Sequence, residues 1–242
     1  MTVSTLDTLP GFRRQIRITP GAGQVVAAVT DDFHEMVVTL AHDGRAITGF
    51  DAQTLRAPWE VCPGAQVVAA RTFVGRTLAR ALAPPEKPSN CTHLYDLSVL
   101  GAGHALDGAP LVYDVRVTDP VDGQVSAEIR RNGVAVWQWQ LRADVLVAPA
   151  EVVGLGLRDM RHWIAGLDPA AAEAARMLQW CCIMARARRV AVVNNQSVAH
   201  MALECYAFGG EAKAELHRHT HNRIDFAALG QVPVARSAGI PD

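Results

Sequence analysis

None of the short motifs that mark nucleotide binding or a common hydrolase occurs in this sequence. It has no Gly-x-Gly-x-x-Gly, no Walker loop, no Gly-x-Ser-x-Gly and no His-Glu-x-x-His. Nucleotide cofactors and the standard serine-hydrolase and zinc-protease mechanisms therefore lose their main sequence support. Lysine is almost missing. Lys87 and Lys213 are the only two, both in polar, loop-like settings, which argues against a buried Schiff-base lysine. Charge is also scarce and balanced: 23 Lys+Arg face 24 Asp+Glu, for a net charge of -1. Nucleic acid or an anionic membrane surface would call for a clustered basic surplus, so neither is expected as a partner. The short run from Arg186 to Arg189 reads as a cationic last turn that complements a helix dipole. No apolar run approaches the roughly 20 residues a membrane span requires. The first residues, MTVSTLDTLPGFRRQ, lack a basic region followed by an apolar core. The cysteines number five, Cys62, Cys91, Cys181, Cys182 and Cys205. That odd count, without a leader, leads to an expectation of reduced thiols in the cytoplasm.

What is present points to an α+β fold in one domain, 1–242, since 50% of the chain is hydrophobic and can fill a core. Residues 12–18 and 25–30 read as strands. Met36 to His42 and Arg45 to Phe50 flank Asp43-Gly44, the signal for a hairpin with a type I′ turn. Apolar residues from Val67 to Leu82 then recur at three and four positions, which predicts an amphipathic helix. Pro84, Pro85 and Pro88 stop it in an exposed loop. The plan recurs downstream. Leu111 to Val117 reads as a strand, Gln124 to Arg131 and Val134 to Arg142 form a hairpin about Asn132-Gly133, and Val153 to Leu167 is expected to be largely helical. Two similar strand–hairpin–helix halves, 11–83 and 110–167, suggest an internal duplication, although two meanders with hairpin turns resemble each other whatever their origin. Asp168 as N-cap and Pro169 at the first helical position open a C-terminal helix over 168–190. Residues 222–242 read as a mobile tail.

The densest polar constellation is Cys91-Thr92-His93-Leu94-Tyr95-Asp96-Leu97. If extended, it places Cys91, His93 and Tyr95 on one face and Thr92 and Asp96 on the other. His93 can move a proton near neutral pH, and Tyr95 can donate to a developing oxyanion. The alternative is a loop-to-helix junction with Asn90 or Thr92 as N-cap and His93 as a satisfied core histidine. Glu60, between Trp59 and Val61, is either a desolvated carboxylate with a raised pKa or an exposed turn glutamate. Asp31-Asp32-Phe33-His34 pairs two carboxylates with an imidazole, an arrangement able to share a proton but also ordinary in a turn. Cys62, Cys91 and His93 would supply three ligands to a metal if their loops met, although their spacing matches no recognised ligand pattern. His217, His219 and His221 alternate as a metal-binding strand would, or belong to a solvated tail. Cys181-Cys182 cannot share one helix face and reads as core. A possible homodimer would use an exposed sheet edge.

The tetrad Cys91-Thr92-His93-Leu94 resembles the signature of a bacterial domain family long filed as a domain of unknown function. The resemblance spans roughly residues 11 to 205, and it rests equally on the ordered layout of Arg13-Arg14, the Asp31-Asp32-Phe33-His34 turn, Pro58, Cys62 and then the tetrad. Some members are associated with bacterial breakdown of lignin-derived aromatic dimers. The resemblance implies a carbon–carbon lyase that releases formaldehyde from a phenylcoumaran, with a small aromatic substrate. Such chemistry needs no organic cofactor and no metal. His93 and Glu60 are then the base and acid in either order, Tyr95 and Asp96 assist, and Trp59, Cys91 and Thr92 line the substrate. The competing readings are a non-catalytic small-molecule-binding module and a metal-dependent hydrolase using Cys62, Cys91 and His93.

Overall fold

The computed structural model describes residues 5–83, 86–189, 205–209 and 222–236. The strands are β1 (Gly11–Gly21), β2 (Gln24–Asp31), β3 (Glu35–His42), β4 (Ile47–Arg56), β5 (Leu111–Thr118), β6 (Gln124–Arg131), β7 (Val134–Arg142) and β8 (Val145–Ala148). They form one eight-stranded antiparallel sheet in the order β4-β3-β2-β1-β5-β6-β7-β8. Four α-helices accompany it among the described residues: α1 (Ala65–Phe73), α2 (Thr92–Gly103), α3 (Arg161–Ala165) and α4 (Pro169–Ala185). The fold is therefore mixed α+β. The chain divides into two compact units, and β1 contributes to both, its residues up to Gln15 to one and from Ile16 to the other. No helix among the described residues is long and apolar enough to cross a membrane.

Turn chemistry separates the two hairpins. Asn132 and Gly133 take φ of 49° and 81°, the paired left-handed conformation that a two-residue turn between twisted strands demands. Asp43-Gly44 does not follow. Only Gly44 is left-handed, at 85°. The Asp43 carboxylate instead accepts from the amides of Arg45 (2.8 Å) and Ala46 (2.7 Å), opening a wider loop. The ladder shifts register at Ala41/His42, and β4 begins only at Ile47.

Two expected helices are shorter than their periodicity, for one reason. Part of each finds backbone partners in a neighbouring strand or its flank. The segment after α1 turns at Gly75 (φ 82°) and bonds back to the start of β4: Gly75 donates to the Ile47 carbonyl and Leu78 to the Arg45 carbonyl, both at 2.9 Å. Only a 3-10 turn, Ala79–Leu82, remains of the predicted continuation. Likewise Gly154 and Leu157 donate to the carbonyls of Leu146 and Asp144, so the stretch after Val153 runs beside β8, and helix is confined to Arg161–Ala165. Strand β8 has no counterpart in the sequence reading. Helix α4 starts behind Asp168, whose Oδ1 accepts from Ala170 and Ala171. Residues 222–236 are packed rather than loose. Ala235 is buried against Val26, Ala28 and Val37, Asn222 donates to the Ala57 carbonyl, and Ile224 donates to the Asp32 carbonyl.

That packing shows how β2 is covered on both faces. Its even positions, Val26 and Ala28, lie with Val37 and Ala235. Its odd positions face α2: a Cβ at Gly101 would meet Leu40 Cδ1, Ala27 Cβ and Val25 Cγ1 at 3.4, 3.7 and 3.7 Å. Side chains alternate along a strand, so Val25, Ala27, Val29 and Asp31 form one stripe. Along α2, Gly101, Leu97 and His93 are spaced by four and share a face. Eight residues of helix span about 12 Å and four residues of strand about 13 Å. A helix seated over Ala27 at Gly101 therefore brings His93 level with Asp31.

At Gly11 backbone meets backbone. Its φ is 157°, and a Cβ there would lie 2.3 Å from the Val117 carbonyl oxygen, a contact that no rotamer relieves. Gly11→Ala is expected to lower stability by about 2–4 kcal/mol, read as a shift in the urea midpoint at unchanged slope.

Candidate active site

The turn between β2 and β3 is built around one carboxylate. The Asp31 amide donates to the His34 carbonyl at 2.8 Å, closing the turn over Asp32 and Phe33. The Asp31 Oδ1 in turn accepts from the amides of Phe33 (2.7 Å) and His34 (2.8 Å). This is an Asx-type turn, in which a short acidic side chain replaces missing backbone acceptors. His34 Nδ1 approaches the same carboxylate, 3.1 Å from Oδ1 and 3.3 Å from Oδ2. A carboxylate held by two amide donors accepts, so Nδ1 carries the proton and the basic lone pair of His34 is on Nε2. Asp31, Asp32 and His34 are all buried. Arg56 braces the turn from outside, donating to the carbonyls of Asp31 (2.6 Å), His34 (3.1 Å) and Asn222 (3.2 Å). Burial pulls its guanidinium below the ordinary arginine value, and the charges of Asp31, Glu35 and Asp32 oppose that pull.

His93, in the first turn of α2, completes the cluster. Its ring stacks on that of His34 with centroids 3.7 Å apart and 29° between planes. Among the described residues, Asp31, His34 and His93 are the one group of three whose ligand atoms gather within 4.8 Å, close enough to hold a metal ion. Two features suit proton transfer better than coordination. The carboxylate already accepts from three N–H groups of its own turn, and the two rings face each other in a stack.

The other residues singled out in the sequence scatter around α2 instead of joining His93. The segment is helical, so His93 and Tyr95 are about 200° apart around the axis. Cys91 is the N-cap residue and makes no side-chain cap bond, in place of the Asn90 or Thr92 cap that the sequence suggests. The Tyr95 ring packs against Phe73 at 5.6 Å, with Lys87 Nζ 5.1 Å from its centroid. Its phenol is pushed up, by burial first and then by the charges of Asp96 and Glu86. Asp96 pairs with Lys87 Nζ at 2.8 Å, with both side chains roughly two-fifths exposed. Trp59 is buried, edge-on to Phe208 at 5.6 Å. Glu60 is exposed, so the desolvation on which its acid role was argued is absent. Among the described residues, Cys62, Cys91 and His93 do not converge as a ligand set. His217, His219 and His221 lie outside the described residues.

Cys91 has a different neighbour. The sulfur of Cys205 accepts from the Cys91 thiol, from the amide and hydroxyl of Thr92, and from the amide of Ala207. These donors, with the N-terminal end of α2, hold the Cys205 thiol well below the ordinary thiol range, against the opposing effect of burial. Its partner moves the other way. Cys91 is pushed up by its bond to Cys205 and by burial, and Cys62 is pushed up to about 12, mainly by burial.

No protein-family model matches the chain, and no curated protein matches it.

Asp31 and His34 were visible in the sequence as a carboxylate and an imidazole three apart, but that spacing is common in turns. What separates them from an ordinary turn is the imidazole on α2, which the sequence places 59 positions later. Cys205 carried no signal at all. Its environment yields a pH prediction. A thiolate favoured in the folded protein persists as pH falls, whereas an ordinary thiol loses about tenfold in alkylation rate per unit below its pKa. Iodoacetamide labelling of Cys205, followed by peptide mass spectrometry, is expected to change by less than about threefold between pH 8 and pH 6.5.

Proposed function

We propose that the chain is an enzyme working by proton transfer, with His34 and His93 as its acid–base pair and Asp31 as the residue that positions His34. The observation that carries the reading is the buried imidazole stack at 3.7 Å, one ring of which has its Nδ1 held by a carboxylate. Asp31 fixes the tautomer of His34 and supports the positive charge that forms when Nε2 takes a proton. His93, stacked on that ring, is then the group most easily kept neutral while its neighbour is charged, and the reverse. One base and one acid in a single contact suit a reaction that removes a proton at one oxygen and returns it at another.

The reaction that fits, on the strength of the Cys-Thr-His-Leu resemblance, is cleavage of a carbon–carbon bond in a phenylcoumaran-type aromatic dimer. One imidazole takes the proton of the side-chain hydroxymethyl group. The bond to that carbon breaks and formaldehyde leaves. The electron pair opens the ring, and the departing phenoxide is protonated by the second imidazole. The proton balance closes within the pair, and the product carries a stilbene double bond. Glu60, being exposed, takes no part in this version. The internal duplication belongs to the same proposal. It concerns the halves 11–83 and 110–167, each followed by a helix that packs on that half's strands, α2 on β2 and β3 and α4 on β6 and β7.

Incubation of the purified protein with a phenylcoumaran dimer, without added cofactor, is expected to release formaldehyde together with a stilbene absorbance. General acid–base catalysis contributes roughly 10²–10⁴-fold, so His34→Ala and His93→Ala are each expected to lower turnover by at least about 10² while thermal melting stays cooperative. Wild-type-like turnover in either variant sinks the pair assignment. Binding of the dimer without turnover supports a binding module instead, and activity lost to a chelator and restored by a divalent ion supports the metal-dependent reading.

A further inference from the structure

We propose that Cys205 and Cys91 form a peroxide-reactive thiol pair that closes reversibly to a disulfide. The inference is independent of the reaction proposed above. Five cysteines are free thiols, and four of them are buried: Cys62, Cys91, Cys181 and Cys182. Cys205 is the partly exposed member. Main-chain bonding seats it beside Cys91, since the Tyr206 amide donates to the Asn90 carbonyl at 3.0 Å and so docks the 205–206 segment along residues 90–91. The two thiols lie close enough to influence each other's charge. A disulfide needs Cα atoms about 4.4–6.8 Å apart, and side-by-side docking of the two segments is the arrangement that offers it.

The surroundings assign the roles. The Thr92 amide and hydroxyl and the Ala207 amide all donate to the Cys205 sulfur, which favours its nucleophilic thiolate form. Cys91 is the deeper of the two. Attack by the Cys205 thiolate on a hydroperoxide breaks the O–O bond. The sulfur takes the nearer oxygen, and the leaving alkoxide or hydroxide takes a proton from water, giving a sulfenic acid and an alcohol or water. The Cys91 thiol then attacks the sulfenic sulfur and displaces its hydroxyl as water. Two thiols are oxidised by two electrons, and one peroxide is reduced by two. A low-molecular-weight thiol reverses the step by exchange. Cys62 lies in the electrostatic neighbourhood of both sulfurs and is the natural competitor.

The test uses the full chain, fully reduced, with hydrogen peroxide added in slight excess at pH 7. Expected is a mass loss of about 2 Da that dithiothreitol reverses, with non-reducing peptide maps showing a Cys91–Cys205 cross-link. In Cys91→Ser the reaction should stop at a sulfenic acid that dimedone traps on Cys205. In Cys205→Ser the remaining thiols should react at least about tenfold more slowly than Cys205 does in the native chain. A cross-link that joins Cys62 to either partner overturns the pairing, and so do equal reactivities across the five thiols. The native peptide map decides the matter by itself if either variant fails to fold.

Discussion

Gly101 has no side chain, and the last turn of helix α2 can settle onto Val25, Ala27 and Leu40 because of it. That approach sets the height of the helix over β2, and the height sets everything ahead of it on the same faces. Leu97 and His93 follow Gly101 along one helical stripe, as Val29 and Asp31 follow Ala27 along the strand. A larger residue at 101 would lift the helix or slide it. A slide of one helical turn, about 5.4 Å, would carry His93 off His34 altogether. The hydrophobic contact and the polar cluster are thus two ends of one packing decision.

The polar end is costly and correspondingly well tied. A buried carboxylate without partners is strongly unfavourable, and each donor removed from such a group costs about 1–3 kcal/mol. Asp31 meets that demand with the amides of Phe33 and His34 and the His34 ring, all within its own turn. Arg56, at the end of β4, then binds the carbonyls of Asp31 and His34 and so fixes the turn to the sheet. Bracing of this kind restrains His34 without drawing on its Nε2. Asn222 joins the same brace: its carbonyl accepts from Arg56, and its side-chain amide donates to the Ala57 carbonyl.

Much of the architecture was legible because it depends on local periodicity. Seven of the eight strands lie where strand-forming segments were read, and the four-residue β8 was the one missed. Asn132-Gly133 marks its turn because few other pairs tolerate two left-handed residues in succession. The failures share a cause. The helix predicted through Leu82 and the one predicted from Val153 were stopped by hydrogen bonds to Arg45, Ile47, Asp144 and Leu146, residues outside the predicted helices. Asp43-Gly44 has the right letters for a tight turn, yet its carboxylate serves two amides of a wider loop. Helical periodicity and turn propensity describe what a segment prefers alone, and they are silent on which backbone groups a neighbour will offer it.

The same division applies to the site. The sequence by itself determined that the chain mixes strands and helices, that the Cys91–Leu97 segment is unusually rich in reactive groups, and that Asp31 and His34 occupy a turn. Those are properties of composition and short-range spacing. Only the tertiary structure decided that His93 joins His34 and Asp31, that Tyr95 and Asp96 turn elsewhere, and that Cys91 meets Cys205 across 114 positions of chain. The reason is physical: a helix distributes consecutive side chains around its axis, so neighbouring residues face several different surroundings, and the packing of that helix on β2 and β3 settles which one each residue meets.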